Sequence, residues 1–449
     1  MHLAEIKFKS LIDRVDANFY VSRLGAIQQL HQQYKNLGDL CNFPRSKTPP
    51  RDLYFRTGIP VIKLKNVSNY FLQLKDTDYI PQSNYSEFVQ PKRGDILITA
   101  TGEGTIGRVG IFENDIKCIV TAEVMIVRPR NINPYFLFAY LRSSYGRYQL
   151  ERFARGSTGQ THLYSKDIAL IPVPQISERL QKEIEELVKK AHQRKRLADE
   201  KYEEANRLLL KEIGLDNLVI IEQKAFEVKF SETKERIDAD YYKPEYKTIA
   251  DLLQQNEKRG LFKLQKLSNV CMLKKGIEVG SEAYTKEGVL FLRVSNISET
   301  GLTEGESSEY ITPYLFEQLR EEYGVRENDI LYTKDATIGI ALVVDRDFPK
   351  AIPSMGVVRL RSKEIDPYYI ALVLNSIACR SQSDREVIGA VIKHYNFTKL
   401  KNLLVPIVPK QKQENIAELV KQSFSLRKEA KQLLDEATEK IENETKQIY

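Results

Sequence analysis

Cysteine is scarce in this chain, and the four that occur, Cys41, Cys118, Cys271 and Cys379, stand far apart with no Cys-x-x-Cys pair. That spacing gives neither a zinc knuckle nor a disulfide framework, and the thiols are assigned to core packing. Histidine is as thin: His2, His31, His162, His192 and His394 form no His-Glu-x-x-His or other paired ligand pattern, so no metal site is expected. Long apolar runs are missing too. Residues 96 to 98 or 403 to 408 fall far short of the roughly 18 residues that a bilayer-spanning helix needs, and no membrane contact is expected. The opening MHLAEIKFKS carries charges where an export signal has its apolar centre, which makes a cytoplasmic location the expectation.

What is present is core-forming material: 42 % of the 449 residues are hydrophobic and 29 % charged, too long a chain for one ordinary core. The net charge of +7 permits a polyanionic partner without demanding one.

The chain repeats itself at about half its length. Arg14-Val-Asp-Ala-Asn-Phe-Tyr20 returns as Arg236-Ile-Asp-Ala-Asp-Tyr-Tyr242 (236 − 14 = 222), and Leu37-Gly-Asp-Leu-Cys41 as Leu267-Ser-Asn-Val-Cys271 (271 − 41 = 230). Gly58-Ile-Pro-Val-Ile-Lys-Leu-Lys-Asn-Val-Ser68 matches Gly288-Val-Leu-Phe-Leu-Arg-Val-Ser-Asn-Ile-Ser298, and both read as strands ending in a polar turn. Gly94-Asp-Ile-Leu-Ile-Thr99 matches Asn328-Asp-Ile-Leu-Tyr-Thr333, and Thr105-Ile-Gly107 matches Thr337-Ile-Gly339. Asn133-Pro-Tyr and Asp366-Pro-Tyr each start a helix, with Asn or Asp as cap and Pro in the first turn. Each half then reaches a Gly-containing polar loop, Gly156-Ser-Thr-Gly-Gln-Thr-His162 or Gly389-Ala-Val-Ile-Lys-His-Tyr395, and a strand closed by prolines.

Residues 177 to 212 and 411 to 446 differ in kind, being nearly free of Gly and Pro and rich in Glu, Lys, Leu and Ala. They predict two long helices. Ile184, Leu187, Val188, Ala191, Ala198, Tyr202, Ala205 and Leu209 form one apolar stripe; Ile416, Leu419, Val420, Ala430, Leu434, Ala437 and Ile441 form the other. Stripes this long need cover, from each other or from partner helices. The fold class expected is therefore α+β: two mixed α/β heads related by the repeat and separated by two long antiparallel, coiled-coil-like helices with pseudo-two-fold symmetry. The segments are residues 1–175 and 214–409 for the heads, 176–213 and 410–449 for the helices.

Three motifs point to chemistry and fail on context. Gly102-Glu-Gly-Thr-Ile-Gly107 fits a dinucleotide fingerprint, but the following Arg108-Val-Gly-Ile-Phe112 is β-like, and the second half keeps one glycine of three; a tight β-turn or bulge is expected instead. Asn133-Pro-Tyr resembles the Asn-Pro-Pro-Tyr loop of adenine methyltransferases, yet lacks the second proline and a glycine-rich methyl-donor motif. Glu222-Gln-Lys224 and Glu227-Val-Lys229 offer the Glu-x-Lys of metal-dependent nucleases without a properly spaced acidic partner, and read as solvated charges.

The ordered set of motifs, present twice, resembles the specificity (S) subunits of type I restriction-modification enzymes over essentially the whole chain. The resemblance implies that each head recognises half of a bipartite duplex DNA site, that the helices act as a ruler and dock two methyltransferase subunits, and that restriction subunits join that core. Catalysis, with S-adenosylmethionine, ATP and magnesium, then belongs to the partners, and this chain carries no cofactor. Candidate DNA contacts on predicted turns are Arg45, Lys47, Lys63, Lys65, Asn66, Arg108, Gln160 and His162 in the first head. In the second they are Lys274, Lys275, Arg293, Asn296, Lys334, Lys393 and His394. Arg and Lys suit guanine and phosphate, Asn and Gln suit adenine. Two alternatives stay open: a coiled-coil protein scaffold that binds no DNA, and the specificity module of a fused type II restriction-methylation enzyme.

Overall fold

A computed structural model describes residues 34–68, 70–74, 77–102, 105–156, 161–220, 225–233, 236–303, 308–389 and 393–447. The first Arg-Val-Asp-Ala motif, His2, His31, Gln160 and residues 222–224 lie outside the described residues. The chain divides into two compact units. One holds the chain up to Arg196 together with the stretch from Arg427, the other Leu197–Leu426, so both divisions fall inside a long helix.

The first unit contains β1 (Tyr34–Asn36), β2 (Cys41–Asn42), β3 (Ile59–Ile62), β4 (Asp78–Ile80), β5 (Ile96–Thr99), β6 (Val109–Ile111), β7 (Ile119–Val120), β8 (Val124–Pro129) and β9 (Pro172–Pro174). Its longer helices include α1 (Pro134–Arg142), α2 (Ser144–Phe153) and the start of α3 (Glu178–Glu212). An antiparallel sheet runs β2-β8-β5-β6; a smaller one runs β4-β3-β7, with β3 and β7 parallel; β1 pairs with β9.

The second unit repeats that topology with β10 (Lys263–Lys266), β11 (Cys271–Lys275), β12 (Val289–Leu292), β13 (Glu309–Ile311), β14 (Asp329–Thr333), β15 (Ala341–Val343), β16 (Ala351–Pro353), β17 (Val357–Ser362) and β18 (Leu404–Ile407). Its sheets run β11-β17-β14-β15 and β13-β12-β16, again with one parallel pair, and β10 pairs with β18. Its longer helices include α4 (Pro244–Lys258), α5 (Pro313–Tyr323), α6 (Pro367–Asn375), α7 (Ile377–Glu386) and the start of α8 (Lys410–Gln447).

The central strands explain why the Asp-Ile-Leu motif is apolar without alternation: both of their faces are covered. Ile96 and Ile98 pack with α1, whereas Leu97 joins Ile62, Val120 and Ile126 on the opposite face. Ile330 and Tyr332 pack with α6, and Leu331 faces Leu292, Leu342 and Val357. The motif's aspartates are buried beside these strands. Asp95, 2 % exposed, receives Arg128 Nε at 2.9 Å and Nη2 at 2.7 Å, and Asp329, 0 % exposed, receives Arg361 at 2.8 and 3.0 Å. Each also caps its preceding turn, through Lys92 N–H or Arg326 N–H. The repeated glycine before the first strand of the small sheet is equally determined. At Gly58 (φ +133°) and Gly288 (φ +140°) a Cβ would stand 2.3 and 2.4 Å from the carbonyl oxygens of Ile80 and Ile311, a position only glycine fills.

Within each unit the long helices pack antiparallel. In the first, Arg194 pairs with Glu429 at 3.1 Å and Lys440 with Glu183 at 3.6 Å. In the second, the Ser423 hydroxyl donates to the Ala198 carbonyl at 2.7 Å, and Lys412 pairs with Glu212. Of the expected stripe, Ile184, Ala191, Ala198, Tyr202, Ile416, Ala430, Leu434 and Ile441 are buried, while Leu187 and Leu419 are partly so. The heads grip these helices at matching points: the Asn133 amide donates to Glu185 at 2.6 Å, and Lys421 pairs with Asp366 at 2.5 Å. Among the described residues no helix is long and apolar enough to cross a membrane.

Candidate nucleic-acid interface

In each head the polar loop is closed by a short backbone ladder and stitched to the end of the central strand. Arg155 and His162 exchange hydrogen bonds of 2.9 and 2.7 Å, His162 bridges to Thr101, and Leu163 N–H donates to the Ala100 carbonyl at 2.8 Å. Ile388 and His394 exchange bonds of 3.0 and 2.8 Å, His394 bridges to Asp335, and Tyr395 N–H donates to the Lys334 carbonyl at 2.8 Å. The same strand end is tied to a further segment in each head. Ala100 N–H donates to Glu123 O, beside which Thr48 holds the Arg45–Lys47 stretch through Ala122 N–H and Glu123. Lys334 N–H donates to Gly356 O, and the neighbouring Gly276 and Ile277 bond Val357 and Pro353.

The Thr-Ile-Gly segments are hairpin turns. Gly107 N–H returns to the Thr99 carbonyl and the Arg108 N–H to the Thr99 hydroxyl, both at 2.9 Å, before β6 begins. No helix opens at Gly107, which removes the dinucleotide fit; Glu103 and Gly104 lie outside the described residues. Glu227 and Lys229 are exposed. Among the described residues no three His, Cys, Asp or Glu side chains stand together as could hold a metal.

The side chains mounted on the shared ladder differ. In the first head His162 stacks on Tyr164, centroids 6.1 Å apart at 28°, and a cleft is lined by Arg155, Gly156, His162, Tyr164 and Lys166, with Arg155 paired to the buried Asp167 at 2.5 Å. In the second head Asp335 receives Lys334 Nζ at 2.6 Å on one oxygen and stands 2.8 Å from His394 Nδ1 with the other. Ala336 next to it has φ +56°, an uncommon conformation for a non-glycine residue that here delivers its N–H to the Lys393 carbonyl at 2.8 Å. Such sets of cationic, aromatic and imidazole groups hydrogen-bond base edges and phosphates.

Other candidates are placed unequally. Arg45, Lys47, Lys65 and Lys393 are exposed, and Arg108 is half-buried. Lys63 is held by Asp78 at 2.6 Å and by the Tyr54 ring at 3.9 Å; Arg293 is held by Glu309 at 3.2 Å. Lys274 pairs with Glu322 against Tyr323, and Lys275 lies 4.8 Å from the Phe397 ring. Asn66 and Asn296 must be corrected. They are 1 % and 2 % exposed, and each Oδ1 accepts from the N–H three residues earlier, at 2.8 and 2.9 Å. Their amides donate onward, from Asn66 to the Gln73 carbonyl and from Asn296 to the Ser308 hydroxyl. They build a turn and are buried away from any base. Sequence reasoning in turn missed Arg155, Tyr164 and Lys166, whose only signal was adjacency to the polar loop.

Comparison with known proteins agrees with the doubled architecture. The model of the family described as "Type I restriction modification DNA specificity domain" matches twice, at residues 31–207 and 259–439. A search of curated proteins returns no match. Among solved structures the chain is similar to the type I restriction-modification system S subunit from M. genitalium, at 13 % identity and TM-score 0.38, covering 93 % of this chain and 96 % of that one. It is also similar to the HsdS subunit from Thermoanaerobacter tengcongensis, at 14 % identity and TM-score 0.30, covering 91 % and 95 %. With the family model matching both halves, the chain belongs to the type I restriction modification DNA specificity domain family.

Proposed function

We propose that this DNA specificity subunit reads a split duplex target, one half per head, and docks two methyltransferase subunits through its long helices, which also set the gap between the halves. The observation that carries the reading is the pairing of one backbone frame with two unlike sets of loop side chains, as two readers of different half-sites require. The residues proposed to meet DNA are Arg45, Lys47, Lys65, Arg108, Arg155, His162, Tyr164 and Lys166 in the first head, and Lys275, Lys334, Lys393 and His394 in the second. Adenine methylation and cleavage, with S-adenosylmethionine, ATP and magnesium, are assigned to methyltransferase and restriction partners. The test is reconstitution. Purified chain alone is expected to turn over no DNA with any of those cofactors, and addition of its methyltransferase to yield adenine methylation at a two-part sequence. Specific turnover by the pure chain, or methylation at a continuous short site, overturns the proposal. Salt-dependent binding of duplex by the chain separates it from a DNA-free scaffold.

A further inference from the structure

The Arg-x-Asp-Ala-x-aromatic-Tyr motif that opens each half has no part in the reading so far. In the second half, Arg236 presents Nε and Nη2 to the Asp238 carboxylate at 2.7 and 2.6 Å, a fork that fixes the plane of the guanidinium. Its remaining donors reach the carbonyl oxygens of Val387 at 2.9 Å and Arg385 at 3.4 Å. Those carbonyls belong to the end of α7, where backbone acceptors lose their helical partners and a cation is favoured. The Tyr241 ring meets two guanidiniums, 4.8 Å from that of Arg236 and 4.4 Å from that of Arg385. The Tyr242 hydroxyl closes the segment on the Arg236 carbonyl at 2.7 Å. The residue after Val387 is Ile388, which pairs with His394 and so opens the polar loop. Lys393 in that loop also acts electrostatically on Asp240 and Asp384.

We infer that residues 236–242 form a clasp that fixes the root of the second head's polar loop, and that Arg236 is a positioning residue for sequence discrimination at that head's half-site. The inference rests on the proposed reading of the heads. One argument favours it over a purely structural role, and a second favours it over a direct role in reading bases. Asp238 is 46 % exposed in its side chain, so this ion pair contributes little to global stability. And the motif recurs in the sequence while the loop residues do not, with Arg152 standing where Arg385 does (385 − 152 = 233), the behaviour of a frame rather than a reader. Arg14 to Tyr20 lie outside the described residues.

The experiment uses the full chain with its methyltransferase and compares wild type with Arg236→Ala, Arg236→Lys and Tyr241→Leu. Two quantities are read: base preference at each position of both half-sites, and hydrogen exchange of the amides of Ile388 and His394 in the DNA-free chain. Arg236→Ala is expected to lower discrimination on the order of tenfold at one half-site only, to speed exchange at those two amides, and to leave the melting temperature nearly unchanged. Arg236→Lys should fail to restore either, since an ammonium lacks the fork, and Tyr241→Leu should give an intermediate result if Arg236→Ala does not fold. In a Lys393→Ala/His394→Ala background Arg236→Ala should cost no further discrimination. Unchanged exchange at the loop root, or an equal loss at both half-sites, overturns the clasp. A wild-type enzyme without a split target overturns the proposed function instead, and the exchange data then still report whether the clasp holds the loop.

Discussion

His162 and His394 occupy the same backbone position, each bridged to the residue two beyond a fully buried threonine, Thr99 or Thr333, yet the two imidazoles are held by different means. In the first head the bridged residue is Thr101, and the ring rests on Tyr164 beside a cleft. In the second it is Asp335, whose carboxylate takes the Nδ1 side of the ring and a lysine as well. The lesson is a separation of duties. Backbone ladders, the buried Asp–Arg pairs, the Asn turns and the imidazole itself recur; the groups set around the imidazole do not. Under the proposed function, a protein that reads two different sequences keeps the frame and exchanges what it mounts on it.

The largest expected effect tests whether the frames are independent. Replacing residues 41–170 with the equivalent stretch of another specificity subunit should exchange one half of the methylated sequence outright and leave the other half as it was. Methylome sequencing of cells carrying the hybrid checks this. A change in both halves would show that the heads do not read separately.

Next comes the shared frame itself. Asp95→Ala and Asp329→Ala each strip a buried carboxylate from a two-pronged arginine, and because Arg128 and Arg361 are partly exposed the cost is about 2–4 kcal/mol rather than that of a fully buried orphan. Calorimetry should show melting falling by roughly 5–15 °C in both variants. Equal losses sharpen the view that the two pairs are one device used twice; a loss in only one head breaks it.

Much of this frame was legible in sequence because it is repeated. The offsets near 230 located the central strands β5 and β14 and the small-sheet strands β3 and β12 but not β8 and β17, and the caps at Asn133 and Asp366 form as expected, accepting from the Tyr135 and Tyr368 N–H groups at 2.9 Å. What composition and spacing missed is which polar side chains are already spent. Lys63 and Arg293 meet acids on a neighbouring strand, Asp78 and Glu309, a contact that no local pattern announces. Asn66 and Asn296 carried a usable signal all the same: they align (296 − 66 = 230), as residues of a shared frame do. At the asparagine turns recurrence marks structure; His162 and His394 also recur, and it is their neighbours, Tyr164 and Asp335, that diverge.

One difference between the units concerns acid. His192 on α3 packs edge-on against Phe71 at 5.1 Å, and burial, with smaller contributions from Lys195, Arg142 and Arg93, pushes its imidazole down to about 4. The aligned residue of the second unit (424 − 192 = 232) is Phe424, which does not titrate. A folded value below the unfolded one, about 6.5, means the unfolded chain binds the proton first. Stability from this site is therefore complete above about pH 6.5 and is lost as pH falls toward 4, by up to about 3 kcal/mol. Amides of the first unit should lose exchange protection between pH 6.5 and 4.5 before those of the second, and His192→Leu should remove that difference. Equal acid sensitivity of the two units in the wild-type chain would show that His192 does not govern it.

The smallest effect addresses the comparison at its origin. Asp335→Thr gives the second head the first head's residue beside the imidazole, and Thr101→Asp does the reverse. In the first variant His394 loses its acceptor and Lys334 its counter-charge, so the ring turns freely and base preference at one position of that half-site should weaken by roughly fivefold, about 1 kcal/mol, the worth of one net hydrogen bond. In the second, a carboxylate placed across the ladder from His162 competes with Tyr164 for the ring, and preference at one position of the other half-site should move by a similar factor. Asp335→Thr leaves Lys334, 12 % exposed in its side chain, without its counter-charge, so melting should fall by a few degrees in that variant and by no more than a degree or two in Thr101→Asp. Base-by-base selection from randomised duplexes reads both variants in one experiment. If each exchange shifts only its own half-site, the mounting of the imidazole is a determinant of reading; if neither shifts, the histidines are part of the frame, and the readers lie among the cations of the same loops.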